Sequence, residues 1–296
     1  MVRPNFKGTI TALVTPFRED FSIDFAKLKK LIEFQIEGGV DALVIGGTTG
    51  ESATLSSKEK LALIIQSVEF SAGRIPIIAG TGSYNTAESI DMTVLAREHG
   101  ADAVLLVAPY YNKPSQEGLY YHYKAIADAV DIPQILYNVP GRSAVNISAE
   151  VQLRLGEEFT NIVATKEASG NLEQIMEIIR NAPDNFNVLS GDDSISLPII
   201  LMGGTGVISV ISNYAPKLFS ECINEALNGN YDLALDLHYK LFDLMKLNFV
   251  EPNPVPAKTI LSMMGMLDEV YRLPLIPITD FNREKLANAI KQLGLV

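Results

Sequence analysis

Cysteine is nearly absent from this chain. Cys222 stands alone among 296 residues, so no disulfide can form within it, and a reducing compartment fits. Basic residues are also few, 24 against 35 acidic ones for a formal net charge of −11. That balance leaves no material for the basic stripe of a nucleic-acid footprint. It does not restrict small substrates, because a pocket can be locally cationic on an acidic protein. No apolar run is long enough to cross a bilayer, and the opening MVRPNFKGTI has no apolar h-region of the secretory kind. His99, His122 and His238 show neither metal-ligand nor triad spacing. His99 and His238 fall in helical patterns, where a structural role is expected. The expectation is a cytoplasmic protein without metal, nucleic-acid or membrane partners.

Hydrophobic residues are plentiful, at 47%. That is enough to bury a large core, as one big α/β domain or two smaller ones. Short β-rich runs recur: TITALVTP (9–16), DALVIGG (41–47), IPIIAGTG (75–82), DAVLLVAP (102–109), IPQILYNVP (132–140), NIVATKEA (161–168), FNVLSGDD (186–193) and GVISV (206–210). Between them lie patterns such as SKEKLALIIQSVEFSAG, with apolar residues at helical spacing and a glycine close after the end. The runs are almost continuously apolar, as in a parallel sheet covered by helices. A doubly wound open sheet would share that trait. Eight units, with polar and Gly-rich residues gathered after the strands, predict a closed (β/α)8 TIM barrel over residues 1–228. Helical patterns alone follow, so 229–296 reads as a C-terminal helical appendage.

In such a barrel the chemistry sits at the C-terminal strand ends. There the chain places GGTTGES (46–52), PYYNKP (109–114), YNVPGR (137–142), Lys166 and the neighbourhood of GGTGVIS (203–209). If 161–166 is a strand, Ile162, Ala164 and Lys166 share one face and the lysine enters an apolar mouth. A lysine of ordinary pKa, about 10.4, is protonated and a poor nucleophile; desolvation frees the amine to attack a carbonyl. Alone, a strand-end lysine more often pairs with an acid, here Glu167, or snorkels to the surface.

The loop shifts that balance. Gly46, Gly47 and Gly50 let the backbone approach a ligand, so successive N–H groups and the hydroxyls of Thr48 and Thr49 can hold a carboxylate. An ordinary Gly-rich turn is the competing reading. The loop lacks the Walker lysine and the dinucleotide spacing. GGTG (203–206) is a weaker candidate, a phosphate cup with no cation nearby in sequence. Tyr110, Tyr111 and Tyr137 offer phenols for proton relay, although tyrosines more often pack with a polar tip. Arg142 can grip a carboxylate bidentately, or stand solvated at the surface. Together these residues describe a barrel enzyme that forms an imine between Lys166 and a keto acid, without a cofactor.

GGTTGESATL, PYYNKPSQEGLY, YNVPGR, TKEASGN and GVISV together resemble the dihydrodipicolinate synthase family over essentially the whole chain. The strand-6 lysine and YNVP are shared with the wider pyruvate-dependent class I aldolase, or N-acetylneuraminate lyase, family. The resemblance implies that Lys166 forms a Schiff base with pyruvate, whose carboxylate rests on the Gly47–Thr49 backbone. Tyr137 would shuttle protons, and Thr48 would complete a hydroxyl relay with Tyr111 of a neighbouring subunit. Arg142 would hold the carboxylate of L-aspartate 4-semialdehyde, and Ile208 would line the pyruvate pocket through its carbonyl. The product would be 4-hydroxy-tetrahydrodipicolinate, made by a homotetramer arranged as a dimer of dimers.

In lysine-inhibited relatives, histidines usually stand where this chain has Ser57 and Lys60, and asparagine where it has Tyr84. Ser52, Ala53, Glu88 and Tyr110 fit the allosteric pattern. The Lys60 ammonium would oppose an incoming lysine, so weak or absent feedback inhibition is expected. Two rival readings stay open. One is a lyase of the same family that cleaves a sialic or 2-keto-3-deoxy sugar acid, which Arg142 argues against. The other is a non-catalytic keto-acid sensor on the same scaffold, against which stands the full set of Lys166, Tyr137 and Thr48.

Overall fold

A computed structural model describes residues 6–295. The first residues of the stretch read for a leader, 1–5, lie outside them. Eight parallel strands close into a barrel in chain order: β1 (Gly8–Ala12), β2 (Ala42–Ile45), β3 (Ile77–Gly80), β4 (Ala103–Val107), β5 (Gln134–Asn138), β6 (Ile162–Glu167), β7 (Asn187–Ser190) and β8 (Gly206–Ser209), which pairs back on β1. Each strand falls inside one of the eight apolar runs, save that β1 begins one residue earlier, at Gly8. The strands are shorter than the runs because the final residues of several runs leave the ladder and turn over the barrel mouth.

Helices cover the outside: α1 (Phe25–Glu37), α2 (Ser57–Ser71), α3 (Thr86–Glu98), α4 (Gln116–Ala129), the short α5 (Pro140–Ser143), α6 (Ala149–Glu158), α7 (Leu172–Asn181), α8 (Ser196–Leu201) and α9 (Pro216–Leu227). Many start on side-chain caps that accept orphan N–H groups, including Asp24, Asn85, Ser115, Ser148 and Asn171. Ser56 and Glu59 form a reciprocal capping box at α2. After α9 come α10 (Tyr231–Leu247), α11 (Val255–Met263) and α12 (Asp280–Gln292). They share one apolar cluster with the barrel wall, where Leu241, Ile260 and Leu286 join Leu43 and Val207. The barrel interior is a separate cluster that includes Ile10, Val44, Ile78, Leu105, Ile135, Leu189 and Ile208.

Two expectations change. Ile162 does not share the face of Lys166. The β5–β6 register pairs Gln134 with Ile162 and then Ile135 with Ala164, skipping Val163. Ile162 therefore belongs to the outer core, while Val163 and Ala164 both belong to the inner one. The GGTG segment precedes β8, so it lies at the end of the barrel opposite the strand C-termini. There Gly206 packs on Gly8, and a Cβ at 206 would meet the Gly8 carbonyl oxygen at 2.2 Å. That contact, not phosphate binding, explains the glycine.

Candidate active site

Lys166 stands on β6 directly opposite Tyr137 of β5. Both are 6% exposed, and the lysine Nζ lies 4.2 Å from the phenol ring centroid. Among the described residues, neither Nζ nor the Tyr137 hydroxyl has a hydrogen-bond or ion-pair partner in the protein. The pairing with Glu167 does not occur, because successive residues of a strand face opposite ways. Glu167 points into the helix layer, where it accepts from Asn138 (2.7 Å), Gln152 (2.9 Å), Gln174 (3.0 Å) and the Ser169 hydroxyl (2.6 Å). Lys166 is left with an aromatic face that stabilises a cation only modestly. Space for its stem comes from Gly191 after β7, where a Cβ would sit 3.1 Å from Lys166 Cε.

Beside this pair opens a cavity of about 320 Å³, lined among others by Gly46, Gly47, Thr48, Tyr137 and Arg142. Its floor is the loop after β2. Gly46 takes φ 67, and Gly80 must lack a side chain because a Cβ there would meet the Gly46 carbonyl at 2.4 Å. Inside the loop, the N–H groups of Gly50 and Ser52 bond to the Gly47 carbonyl, and that of Glu51 bonds to the Thr48 carbonyl. The N–H groups of Thr48 and Thr49 find no protein acceptor among the described residues. Buried N–H groups are almost always paired, so two adjacent free donors on a Gly-rich turn make a ready anion cradle. Arg142, on α5, is exposed at the cavity edge, and its guanidinium has no ion-pair or hydrogen-bond partner among the described residues.

The other expected residues divide into two groups. Ser52, Ala53, Lys60 and Tyr110 line the same cavity. Burial pulls the Lys60 ammonium below its ordinary pKa, and the Glu88 carboxylate opposes that shift. Tyr84 packs edge-on against Tyr110, with ring centroids 5.2 Å apart, and Glu88 accepts from the Ser83 hydroxyl. Ser57 is exposed at the start of α2, outside the cavity lining. Ile208 is fully buried in the barrel interior. Tyr111 is 91% exposed with φ 70, and it is outside the lining.

Sequence reasoning missed the contribution of the C-terminal region. Asn253, Pro254, Pro274 and Leu275 line the cavity, and Asn253 Nδ2 donates to the Thr49 hydroxyl at 2.9 Å. The signals available were the polar residue inside EPNPVP and the single lysine in the apolar helix VPAKTIL.

The profile of the dihydrodipicolinate synthetase family matches residues 5–293. The 4-hydroxy-tetrahydrodipicolinate synthase of Koribacter versatilis is 51% identical, over 98% of this chain and 97% of its own. The crystal structure of dihydrodipicolinate synthase from Aquifex aeolicus superposes with a TM-score of 0.96 at 46% identity, covering 98% of this chain and 99% of that one. The chloride-inhibited dihydrodipicolinate synthase of Acinetobacter baumannii, solved in complex with pyruvate, superposes with a TM-score of 0.96 at 45% identity, covering 98% and 99%.

Proposed function

Because the chain belongs to the dihydrodipicolinate synthetase family, we propose that its Lys166 carries the pyruvate through the family's reaction. The protein is a 4-hydroxy-tetrahydrodipicolinate synthase, which condenses pyruvate with L-aspartate 4-semialdehyde in the diaminopimelate route to lysine.

The neutral amine of Lys166 adds to the pyruvate C2 carbonyl, and the carbinolamine loses water to give an imine. Loss of a methyl proton gives the enamine, whose C3 attacks the aldehyde carbon of the second substrate. The semialdehyde's own amine then displaces Lys166 at C2. This closes the ring and restores the free lysine, with one water lost overall. No cofactor is needed, because the imine itself is the electron sink. Tyr137 moves protons at each stage from its place over Nζ. The Thr48 and Thr49 amides, with Gly47 giving access, hold the pyruvate carboxylate. Arg142 holds the semialdehyde carboxylate, and the Ile208 carbonyl closes the inner wall.

Tyr111 would complete the proton relay with Thr48 of another subunit. Its exposure in the single chain supports this reading, which requires at least a dimer, and the assembly we propose is a homotetramer of two such dimers. We take residues 1–228 as the catalytic barrel and 229–296 as helices packed on it, and we assign the biosynthetic activity to the cytoplasm. The cluster of Ser52, Ala53, Ser57, Lys60, Tyr84, Glu88 and Tyr110 is proposed as a lysine site disabled by the Lys60 charge.

The observation that carries this reading is a buried lysine facing a phenol beside two amides, with no carboxylate on the lysine and no acceptor on the amides among the described residues. Borohydride reduction in the presence of pyruvate, followed by peptide mass spectrometry, tests it. A reduced pyruvyl group on Lys166 is expected, and its absence overturns the mechanism.

A further inference from the structure

Lys258 and Glu51 form an ion pair in which both side chains are fully buried, Nζ to Oε1 at 2.7 Å. Lys258 lies on α11, outside the barrel, whereas Glu51 belongs to the cradle loop. Nothing in the reaction uses either charge. A buried ion pair is a poor stabiliser, since desolvation offsets most of the attraction. Its value must lie in what it fixes.

The geometry shows what that is. Glu51 has φ 56, the left-handed region that a residue with a long side chain seldom adopts. Its N–H closes the turn onto the Thr48 carbonyl at 3.1 Å, so the backbone of Glu51 pins the Thr48–Thr49 peptide through that peptide's own oxygen. Lys258 is itself immobilised. Nζ also donates to the Val270 carbonyl at 2.6 Å and lies over the Phe17 and Tyr271 rings at 4.5 and 5.1 Å. From the same region, Arg272 donates to the Thr54 carbonyl at 2.8 Å just beyond the loop, and Asn253 holds the Thr49 hydroxyl. We propose that the Glu51–Lys258 pair is a positioning device, by which the C-terminal helices hold the cradle loop in the one conformation that aims the Thr48 and Thr49 amides at a carboxylate. The proposal rests on the reading of that loop as the pyruvate carboxylate site. Glu51 and Lys258 are therefore positioning residues that touch no reacting atom.

The test uses the full-length protein and reads the pyruvate concentration that gives half-maximal borohydride trapping at Lys166. E51Q keeps the shape and removes the charge. It is expected to raise that concentration at least tenfold, to leave the KM for the semialdehyde within twofold, and to label the same lysine at saturating pyruvate. K258R, which keeps the charge, should raise that concentration less than K258M, which should match E51Q. If E51Q does not fold, the double variant E51Q/K258M, which buries no lone charge, takes its place with the same expectation. A lowered Tm with parental pyruvate dependence, in either E51Q or the double variant, overturns the proposal and leaves a structural role only. Failure of the parent protein to trap pyruvate would instead overturn the reading of the site itself.

Discussion

Tyr137 and Lys166 are register partners on adjacent parallel strands, so the distance between phenol and amine is set by the β-ladder, not by loops. A pair held by ladder hydrogen bonds keeps its geometry when surrounding loops move. That rigidity makes the consequences of altering either residue specific.

Lys166→Met is expected to abolish reductive trapping and synthase activity while leaving Tm no lower than the parent's. The substitution removes a buried amine that has no ionic partner among the described residues, and it keeps the length of the side chain. Peptide mass spectrometry and thermal denaturation measure both. A trapped adduct on another lysine would refute the assignment.

Tyr137→Phe keeps the ring beside Nζ and deletes the hydroxyl, which has no protein partner among the described residues. We expect kcat to fall by about 10²–10⁴-fold, the usual range for a lost general acid–base group, with pyruvate still trapped slowly at Lys166. Stopped-time trapping against steady-state turnover separates the two effects.

Arg142→Ala should raise the KM for aspartate semialdehyde by about 10- to 100-fold, from the loss of one charge-assisted contact of roughly 1.5–3 kcal/mol. Half-maximal pyruvate trapping should hardly change, since Arg142 is exposed on α5 and does not belong to the cradle loop. Equal losses for both substrates would count against the division of roles. A preference for cleaving sialic or 2-keto-3-deoxy sugar acids would point to the sister lyases.

Lysine is expected to inhibit weakly or not at all. A second ammonium within about 4 Å of Lys60 costs roughly 4 kcal/mol at the dielectric of a partly buried site, enough to weaken binding about a thousandfold. A dose–response curve decides the matter, and strong inhibition below a millimolar would sink the claim. Lys60→Gln should increase whatever sensitivity exists.

His122 provides the pH prediction. Burial lowers its pKa from the usual 6.5 to about 4, its Nδ1 is hydrogen-bonded to the Thr86 hydroxyl, and its Nε2 is buried without a partner among the described residues. The folded state therefore disfavours the charged form. Stability from this group is complete above pH 6.5 and is lost as the pH falls towards 4, by about 3 kcal/mol. Denaturant titrations across that window should show a shallower decline for His122→Phe than for the parent.

Much of this was legible in the sequence because the strands are nearly pure apolar runs ended by polar or glycine-rich residues. Eight such runs specify a closed parallel barrel, and the strand-end rule then brings Lys166, Tyr137 and Thr48 together. Contacts made across long sequence separation were not legible. Asn253 and Lys258 meet the cradle loop from more than two hundred residues away, and no local period announces that. Glu167 looked like the natural partner for Lys166 in sequence, but strand alternation sends it to the other face. GGTG has the composition of an anion cup, and only its place before β8 shows that its glycines serve close packing of two strands.

The skipped residue in β6 carries a further consequence. Pleated strands have only two phases, inward and outward. Had β6 run without interruption from the Ile162–Gln134 pairing, Thr165 would stand opposite Tyr137 and Lys166 would face the helices. Val163 thus acts as a one-letter frame shift that brings the amine into the barrel. Taking Val163 into the ladder without the bulge would leave every side chain of the site encoded and the nucleophile on the wrong side of the wall.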